Sequence, residues 1–209
     1  MRGDTGGILL RVTIVDYGIG NLHSIRKGLE KAGAKTEIVS DMGALESAEC
    51  IVFPGVGAFG EAMNKLAPVR ESIVRRLSEG LPALGICLGM QIFLDRSEES
   101  PQEGLGFVGG DVNKLDADRI PQMGWNDVTF DKSEPVFEGV KSGTQFYYAN
   151  SYVCFPKEDI GIAETVYGRT RFASGMRKKN AFGFQFHPEK SSIAGLKVLK
   201  NFVGIVEGL

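Results

Sequence analysis

The order of predicted strands and helices in the first 90 residues is the feature that most restricts the fold. Short runs of β-branched and aliphatic residues predict strands, and segments with apolar side chains at helical spacing alternate with them. The predicted strands cover residues 8–15, 35–40, 50–53 and 81–86, and the predicted helices cover 21–33, capped by Asn21 and ended by Gly33, and 61–79, broken near Pro68. This order predicts a parallel sheet with helices on both faces, in which ligands bind beyond the carboxyl ends of the strands.

The second half of the chain has a different pattern. Short alternating runs between glycines predict mixed or antiparallel strands at residues 144–148, 162–166 and 182–186. A final helix is predicted over residues 191–206, with an apolar face formed by Ile193, Leu196, Leu199 and Val203. The chain is therefore predicted to form one α/β domain over residues 8–209, with a central, mostly parallel twisted sheet flanked by helices and antiparallel strands in the C-terminal half. Residues 1–7 are polar and glycine-rich, and are interpreted as an N-terminal extension.

Composition argues against several classes of ligand. The 209 residues are 43% hydrophobic and 24% charged with a formal net charge of -2, so nothing in the charge favours nucleic acid or an anionic membrane. The three cysteines are widely separated and lack zinc-ligand spacing, which is typical of a protein in a reducing compartment. No segment has the length and apolar character of a signal sequence or membrane span, so a cytoplasmic location is expected.

Cys87 lies in the pentapeptide Gly85-Ile86-Cys87-Leu88-Gly89, between a predicted buried strand and a segment of helical composition. Small residues on both sides of a nucleophile allow a strained strand-to-helix turn that exposes it above the sheet, as in Gly-x-Ser-x-Gly hydrolases. The free amides at a helix N-terminus also stabilise a thiolate. The simpler interpretation is a buried cysteine that only fills space. The pentapeptide alone is compatible with esterase-like, protease-like or structural roles.

A base for Cys87 has to come from one of two histidines, His23 and His187. His23 lies near basic residues early in the first predicted helix, which favours a solvated side chain. His187 follows an apolar run and is two residues from Glu189, so in an extended segment the carboxylate lies on the same side and can orient the imidazole ring. Cys87, His187 and Glu189 would then form a catalytic triad. The alternative is a structural histidine at a strand end, with Glu189 in solvent.

The loop Pro54-Gly55-Val56-Gly57 follows the third predicted strand and is expected to lie beside Cys87 above the same sheet edge. Glycines let backbone amides approach a substrate closely, so this loop is predicted to form an oxyanion hole from the amides of Val56 and Leu88. Phosphate binding is the alternative use of a glycine loop. Residues 55–60, Gly-Val-Gly-Ala-Phe-Gly, match Gly-x-Gly-x-x-Gly in spacing, but no Gly-Lys-Ser/Thr follows the loop, which argues against phosphate binding.

Three segments together resemble the class I, or triad, glutamine amidotransferases. The three are residues 85–91, the loop at residues 54–57 and the segment Phe186-His187-Pro188-Glu189. Their order and spacing agree with the family over almost the whole chain, which implies a flavodoxin-like α/β fold. Within the family, the chain also resembles the glutaminase subunits of imidazole glycerol phosphate synthase, in residues 16–22, 121–126 and 187–191.

The resemblance implies a reaction and a set of site residues. Cys87 would attack the side-chain amide of glutamine and release ammonia, and water would hydrolyse the resulting glutamyl thioester. His187 would carry the proton, and Glu189 would orient the imidazole ring. The implied glutamine contacts are Gly55, Gly57, Gln91, Glu99, Ser151 and Tyr152. For Gln91 the alternative is a first-turn helix residue that faces solvent, and no metal or organic cofactor is expected.

The resemblance also implies a partner, a (β/α)-barrel cyclase that receives the ammonia through an internal tunnel and builds an imidazole ring in histidine biosynthesis. A sole tryptophan is usually core or interface material, and in this family the surrounding segment faces the cyclase. The predicted partner contacts are Gln122, Met123, Trp125 and Asn126. This chain has Gln122 and Asn150 where the family often has histidine, so no protonatable relay is expected at those positions.

Two other functions are compatible with the same fold. The ammonia acceptor can differ, as in amidotransferases of anthranilate or pyridoxal phosphate synthesis, although residues 121–126 argue against both. A non-catalytic binding or scaffold subunit would keep the fold, but the presence of Cys87, His187 and Glu189 disfavours it. Weak activity of the isolated chain is expected, because the flexible glycine loop can require partner and ligand to direct its amide inward.

Overall fold

The computed structural model describes residues 9–18, 20–131 and 133–209, so the N-terminal extension predicted at residues 1–7 lies outside the described residues. The helices are His23–Ala32 (α1), Phe59–Leu66 (α2), Arg70–Glu79 (α3), Leu88–Gln91 (α4) and Ser192–Glu207 (α5), with short 3₁₀ helices at Met42–Ser47, Ala67–Val69, Pro135–Phe137 and Pro188–Lys190. The strands are Arg11–Val15 (β1), Lys35–Val39 (β2), Ile51–Phe53 (β3), Ala83–Ile86 (β4), Arg96–Ser97 (β5), Ser100–Glu103 (β6), Gly110–Lys114 (β7), Gln122–Phe130 (β8), Thr144–Asn150 (β9), Tyr152–Pro156 (β10), Gly161–Tyr167 (β11), Thr170–Lys178 (β12) and Ala181–Phe184 (β13). None of the described helices has the length and apolar character that crossing a membrane requires.

The sheet is mixed: five neighbouring strands are all parallel, and most of the remaining pairs are antiparallel, although β5 pairs parallel with β7 and antiparallel with β6. The order β2-β1-β3-β4-β13 is parallel at every pair. Beyond β13, strands β12, β10 and β7 pair antiparallel. β11 joins β12 to β8, and β8 pairs with β9. The predicted α/β class is confirmed, with the antiparallel strands in the C-terminal half.

Helices cover both faces of the parallel strands. Val52 and Leu84 belong to a core that includes residues of α1 and α5, whereas Ile51 and Ala83, their neighbours along the strands, belong to a second core with residues of α2 and α3. Both faces of β3 and β4 are therefore buried, which explains why their sequences are continuous apolar runs. Full burial of each valine, leucine or isoleucine side chain contributes roughly 1.5–3 kcal/mol.

The helix boundaries follow the predicted signals. α1 ends at Gly33 and α3 at Gly80, which have φ values of +110° and +108°. At the start of α1, Oδ1 of Asn21 accepts a hydrogen bond from the backbone N–H of His23 at 2.8 Å. The predicted break near Pro68 is the 3₁₀ turn Ala67–Val69 between α2 and α3, because proline lacks the N–H that would continue the helix.

The apolar face of α5 differs from the prediction at its first turn. Leu199 and Val203 are buried as predicted, but Ile193 is 84% exposed, and Val198, which was not part of the predicted face, is buried. Gly195 packs against the preceding 3₁₀ turn so closely that a Cβ there would collide with the carbonyl oxygen of Pro188. Ile193 lies two residues away, about 200° around the helix, and therefore faces solvent.

Candidate active site

Cys87 lies between the end of β4 and the first residue of α4, at the predicted strand-to-helix turn. Its φ of +48° is rare for a residue with a side chain, and such a backbone costs about 1–3 kcal/mol. A Cβ on Gly85 would collide with the backbone of Gly89, and a Cβ on Gly89 would collide with the carbonyl oxygen of Phe53. The Gly-x-Cys-x-Gly spacing is thus required by the close approach of β3, β4 and α4.

Strand pairing brings the segment after β13 next to Cys87. β13 lies parallel to β4, with Phe184 opposite Ile86. The backbone N–H of Cys87 donates a hydrogen bond to the carbonyl of Phe184 at 2.7 Å. His187, three residues after Phe184, therefore lies at the carboxyl edge of the sheet beside the thiol.

His187 and Glu189 are in contact and both side chains are buried. Nδ1 of His187 lies 2.8 Å from Oε1 of Glu189. Residues 188–190 form a 3₁₀ turn rather than the extended segment considered from the sequence. The carbonyl of His187 stabilises this turn, because it accepts hydrogen bonds from Oγ of Ser191 at 2.6 Å and from the backbone N–H of Lys190 at 3.0 Å. The turn, and not strand alternation, places the carboxylate against the ring.

The surroundings of His187 favour the imidazolium form. Burial by itself lowers the pKa of His187, but hydrogen bonds to Cys87 and Glu189 and the negative charge of both groups outweigh it and raise the pKa to about 9. Oε1 of Glu189 contacts the ring, and Oε2 is buried with no hydrogen-bond partner in the described part of the chain. The arrangement can therefore hold a proton on His187 and pass it to a group bound at the thiol.

The glycine loop lies directly over the Cys87–His187 pair. A Cβ on Gly55 would be 2.8 Å from Cε1 of His187 and 2.9 Å from Cβ of Cys87. Gly57 has a φ of +102°, which side chains rarely adopt. The sequence-predicted oxyanion donors Val56 and Leu88 thus belong to the two segments that border the thiol, the loop and the first turn of α4.

The predicted glutamine contacts outside the glycine loop lie in two places, one beside α4 and β10 and one at the start of α2. Gln91 is buried in α4, and its Nε2 donates a hydrogen bond to the carbonyl of Tyr152 at 2.9 Å, so it does not face solvent. Ser151 precedes Tyr152 in the turn between β9 and β10. Glu99 is exposed, and its Oε2 accepts a hydrogen bond from the backbone N–H of Phe59 at 3.3 Å, close to the end of the glycine loop.

One further polar side chain contacts the thiol and was not predicted. Nε2 of Gln185 lies 3.4 Å from Sγ of Cys87. The only sequence signal for it is an amide within the apolar run at residues 181–186. Sγ of Cys87 also lies 3.9 Å from the carbonyl oxygen of Ala149. His23, by contrast, is exposed on α1, as predicted.

The predicted partner contacts are divided between surface and interior. Met123 is 69% exposed and Trp125 is 51% exposed on β8, and both are large apolar side chains on the surface. Nδ2 of Asn126 donates a hydrogen bond to the carbonyl of Val166 at 3.0 Å. Gln122 is only 2% exposed, so its side chain lies inside the described chain and not on its surface.

Gln122 and Asn150 are paired across β8 and β9. Both amide atoms of Gln122 and Oδ1 of Asn150 are buried without a hydrogen-bond partner in the described part of the chain. Nδ2 of Asn150 donates to the carbonyl of Tyr152 at 3.1 Å, which places this amide pair next to the candidate site. Among the described residues, no group of three or more His, Cys, Asp or Glu side chains has a metal-binding arrangement.

This fold and this site define a class of α/β protein, in which a cysteine on a strained turn is backed by a buried histidine–carboxylate pair at the carboxyl edge of parallel strands. The family model for class-I glutamine amidotransferases matches residues 13–205. The chain therefore belongs to the class-I glutamine amidotransferase family.

Matches to individual relatives are more specific than the match to the family model. The chain is 48% identical over 194 residues to imidazole glycerol phosphate synthase subunit HisH of Pyrococcus furiosus, a match that covers 92% of this chain and 97% of the relative. It is 44% identical over 196 residues to the subunit HisH of Thermococcus kodakarensis, covering 91% and 98%. The structure of PurLQS from Thermotoga maritima superposes with a TM-score of 0.74 at 19% identity, covering 95% of this chain and 99% of that chain, which supports the fold alone. The predicted resemblance to the glutaminase subunits of imidazole glycerol phosphate synthase is confirmed.

Proposed function

We propose that the protein is the glutaminase subunit of an imidazole glycerol phosphate synthase. It hydrolyses L-glutamine to glutamate and ammonia, and the ammonia passes to a cyclase partner that makes imidazole glycerol phosphate and AICAR in histidine biosynthesis. The observation that carries the proposal is the buried His187–Glu189 pair, with Nδ1 and Oε1 2.8 Å apart, beside Cys87 on its strained turn. The HisH relatives support the choice of pathway.

The first half of the reaction transfers the glutamyl group to sulfur. His187 takes the thiol proton, and the thiolate of Cys87 attacks the side-chain amide carbon of glutamine, so that a C–S bond forms. The amides of Val56 and Leu88 stabilise the negative oxygen, each contributing about 3 kcal/mol in the transition state. The C–N bond then breaks, and His187 returns its proton to the leaving nitrogen as ammonia departs.

The second half regenerates the thiol. Water gives a proton to His187 and attacks the thioester carbon, after which the C–S bond breaks and the sulfur regains the proton from His187. Glu189 orients the imidazole through Nδ1 in both halves and offsets its positive charge. We keep the glutamine contacts proposed from the sequence, two of which, Gln91 and Tyr152, lie next to each other and are joined by a hydrogen bond.

The partner is the second part of the proposal. The relatives are subunits of a larger enzyme, which implies a partner subunit. We assign a (β/α)-barrel cyclase to that place, and the surface around Met123 and Trp125 to its contact. The three cysteines are unpaired, which is compatible with the cytoplasmic location that we propose.

Covalent labelling tests the nucleophile. A glutamine-analogue electrophile is expected to modify Cys87 in the wild-type chain and in Cys50→Ala, the matched control that removes a buried cysteine of the core. Mass mapping of the digested protein locates the adduct. If Cys87 stays unmodified both with and without the partner subunit, the glutaminase proposal is wrong.

A further inference from the structure

Gln185 is a fully buried amide at the carboxyl end of β13. Its exposed fraction is 0%, and it lies between Phe184 and Phe186 in the chain. An amide buried beside aromatic side chains is unfavourable unless hydrogen bonds satisfy it. The partners of this side chain therefore indicate why glutamine, and not an apolar residue of similar size, occupies the position.

Three hydrogen bonds fix the orientation of the Gln185 amide. Nε2 of Gln91 donates to the carbonyl of Tyr152 at 2.9 Å, an atom that can only accept. The same Nε2 donates to Oε1 of Gln185 at 3.2 Å, so the oxygen of Gln185 has to face Gln91. The nitrogen is then directed at Sγ of Cys87, 3.4 Å away. The orientation follows from a chain of donors and acceptors that begins at a backbone carbonyl.

We propose that Gln185 is a further catalytic residue, which donates a hydrogen bond from Nε2 to Sγ of Cys87 and so stabilises the thiolate and holds it on the strained turn. The proposal rests on the proposed role of Cys87 as the nucleophile. A hydrogen bond from a neutral donor stabilises the charged form of a thiol without adding a competing proton carrier. The link through Gln91 also connects the thiol to a proposed glutamine contact.

The other groups near the sulfur have different roles. His187 is the proposed proton carrier and Glu189 the carboxylate that orients it, and Cys154 is a buried thiol that interacts electrostatically with Cys87 and whose pKa burial raises. Gln185 is the neutral donor in this set. Its replacement by glutamate would keep the shape and the acceptor for Gln91 but would put a carboxylate oxygen against the sulfur.

The test compares Gln185→Leu and Gln185→Glu with wild type by the pH profile of Cys87 alkylation. The full chain is treated with iodoacetamide between pH 5 and 10, and mass mapping follows modification at Cys87 alone. Loss of a hydrogen bond to a charged group is expected to move the midpoint of the Gln185→Leu profile upward by about one pH unit, and Gln185→Glu is expected to move it further. Gln145→Leu, at an exposed position on β9, is the matched control and is expected to keep the wild-type midpoint.

Kinetics of the assembled enzyme provide a second readout. Gln185→Leu is expected to lower the kcat for glutamine hydrolysis about tenfold with a smaller change in KM, because the donor acts on the sulfur. An unchanged alkylation midpoint in a folded Gln185→Leu chain, or in Gln185→Glu if the leucine variant does not fold, overturns the inference. That result is distinguishable from failure of the proposed function, which would appear as absence of the electrophile adduct in the wild-type chain.

Discussion

Cys87 keeps an unfavourable backbone because the residues around it allow no other. The hydrogen bond from its N–H to Phe184 and the two flanking glycines hold the turn at a φ of +48°. Strain of about 1–3 kcal/mol at one residue is tolerated when surrounding contacts over-determine the conformation. Packing therefore fixes the position of the sulfur before a substrate binds.

The contact of Gly55 with both reactive side chains leads to a prediction. Gly55→Ala is expected to lower glutaminase kcat/KM by at least about 100-fold, because a Cβ 2.8 Å from Cε1 of His187 and 2.9 Å from Cβ of Cys87 must displace one of them. Gly161→Ala is the control, since a Cβ there meets nothing within 4 Å. Glutamine hydrolysis by both variants, assembled with the partner, is the measurement. Wild-type rates for Gly55→Ala would show that the loop moves freely away from the pair.

Some residues of the candidate site could be predicted from the sequence, and others could not. His187 could be predicted because the chain has only two histidines and one of them precedes a carboxylate. Gln185 could not, because glutamine occurs in many roles and its contact with Cys87 depends on the register of β13 against β4. The burial of Gln122 was likewise missed, since alternation along β8 does not say which face is covered.

The 3₁₀ turn that carries Glu189 is held between two helices by small residues. A Cβ on Gly28 of α1 would be 2.8 Å from Cδ1 of Leu199 and 3.5 Å from Cβ of Glu189. A Cβ on Gly195 of α5 would collide with the carbonyl of Pro188. The carboxylate is therefore positioned by the distance at which α1 and α5 pack against this turn.

Two glycines in α5 give a matched pair of variants. Gly195→Ala is expected to lower the free energy of unfolding by about 1–3 kcal/mol, because the new methyl group overpacks the turn. Gly204 lies on the same helix, where a Cβ meets nothing within 4 Å. Gly204→Ala is therefore expected to raise the free energy of unfolding by about 0.5–1 kcal/mol. Urea unfolding followed by circular dichroism measures both. Equal effects of the two substitutions would contradict the packing described for α5.

At the level of elements, periodicity predicted most of the architecture. Continuous apolar runs and the glycines at residues 33 and 80 located β3, β4, α1 and α3 to within a few residues. The prediction for the first turn of α5 was wrong at Ile193, because the packing of Gly195 on Pro188 is a tertiary contact that hydrophobic periodicity does not report. The 3₁₀ turn at residues 188–190 depends on the Ser191 hydroxyl, which no periodic pattern reports.

Aromatic side chains on the surface of the molecule adjoin the buried candidate site. Trp125 packs edge-to-face on Tyr147 with ring centroids 6.2 Å apart, and Tyr147 in turn lies 6.5 Å from the ring of His187. Nζ of Lys190 lies 5.9 Å from the centroid of Tyr147. A subunit bound on this side would therefore contact residues that adjoin the proposed proton carrier.

Trp125 tests the proposed contact with the partner. Trp125→Ala is expected to weaken binding of the cyclase at least about 30-fold, because a half-exposed tryptophan at an interface commonly contributes 2 kcal/mol or more. Ile38→Ala is the control, since Ile38 is exposed on the edge strand β2, which is separated in the sheet from β8 by β1, β3, β4, β13, β12 and β11. Titration calorimetry with the purified cyclase measures both affinities. Equal affinities for the two variants would place the contact elsewhere.

The position of β13 between β4 and β12 has a consequence for the chain while it is being made on the ribosome. The ribosome releases β4 and Cys87 before β13, His187 and Glu189, so the nascent chain at first carries the thiol without the proposed proton carrier and the proposed orienting carboxylate. Because β13 lies between β4 and β12, the candidate site is complete only in a sheet that contains β13. A chain cut short before residue 181 lacks His187 and Glu189, and it is therefore expected to show no glutamine hydrolysis even if its first half folds.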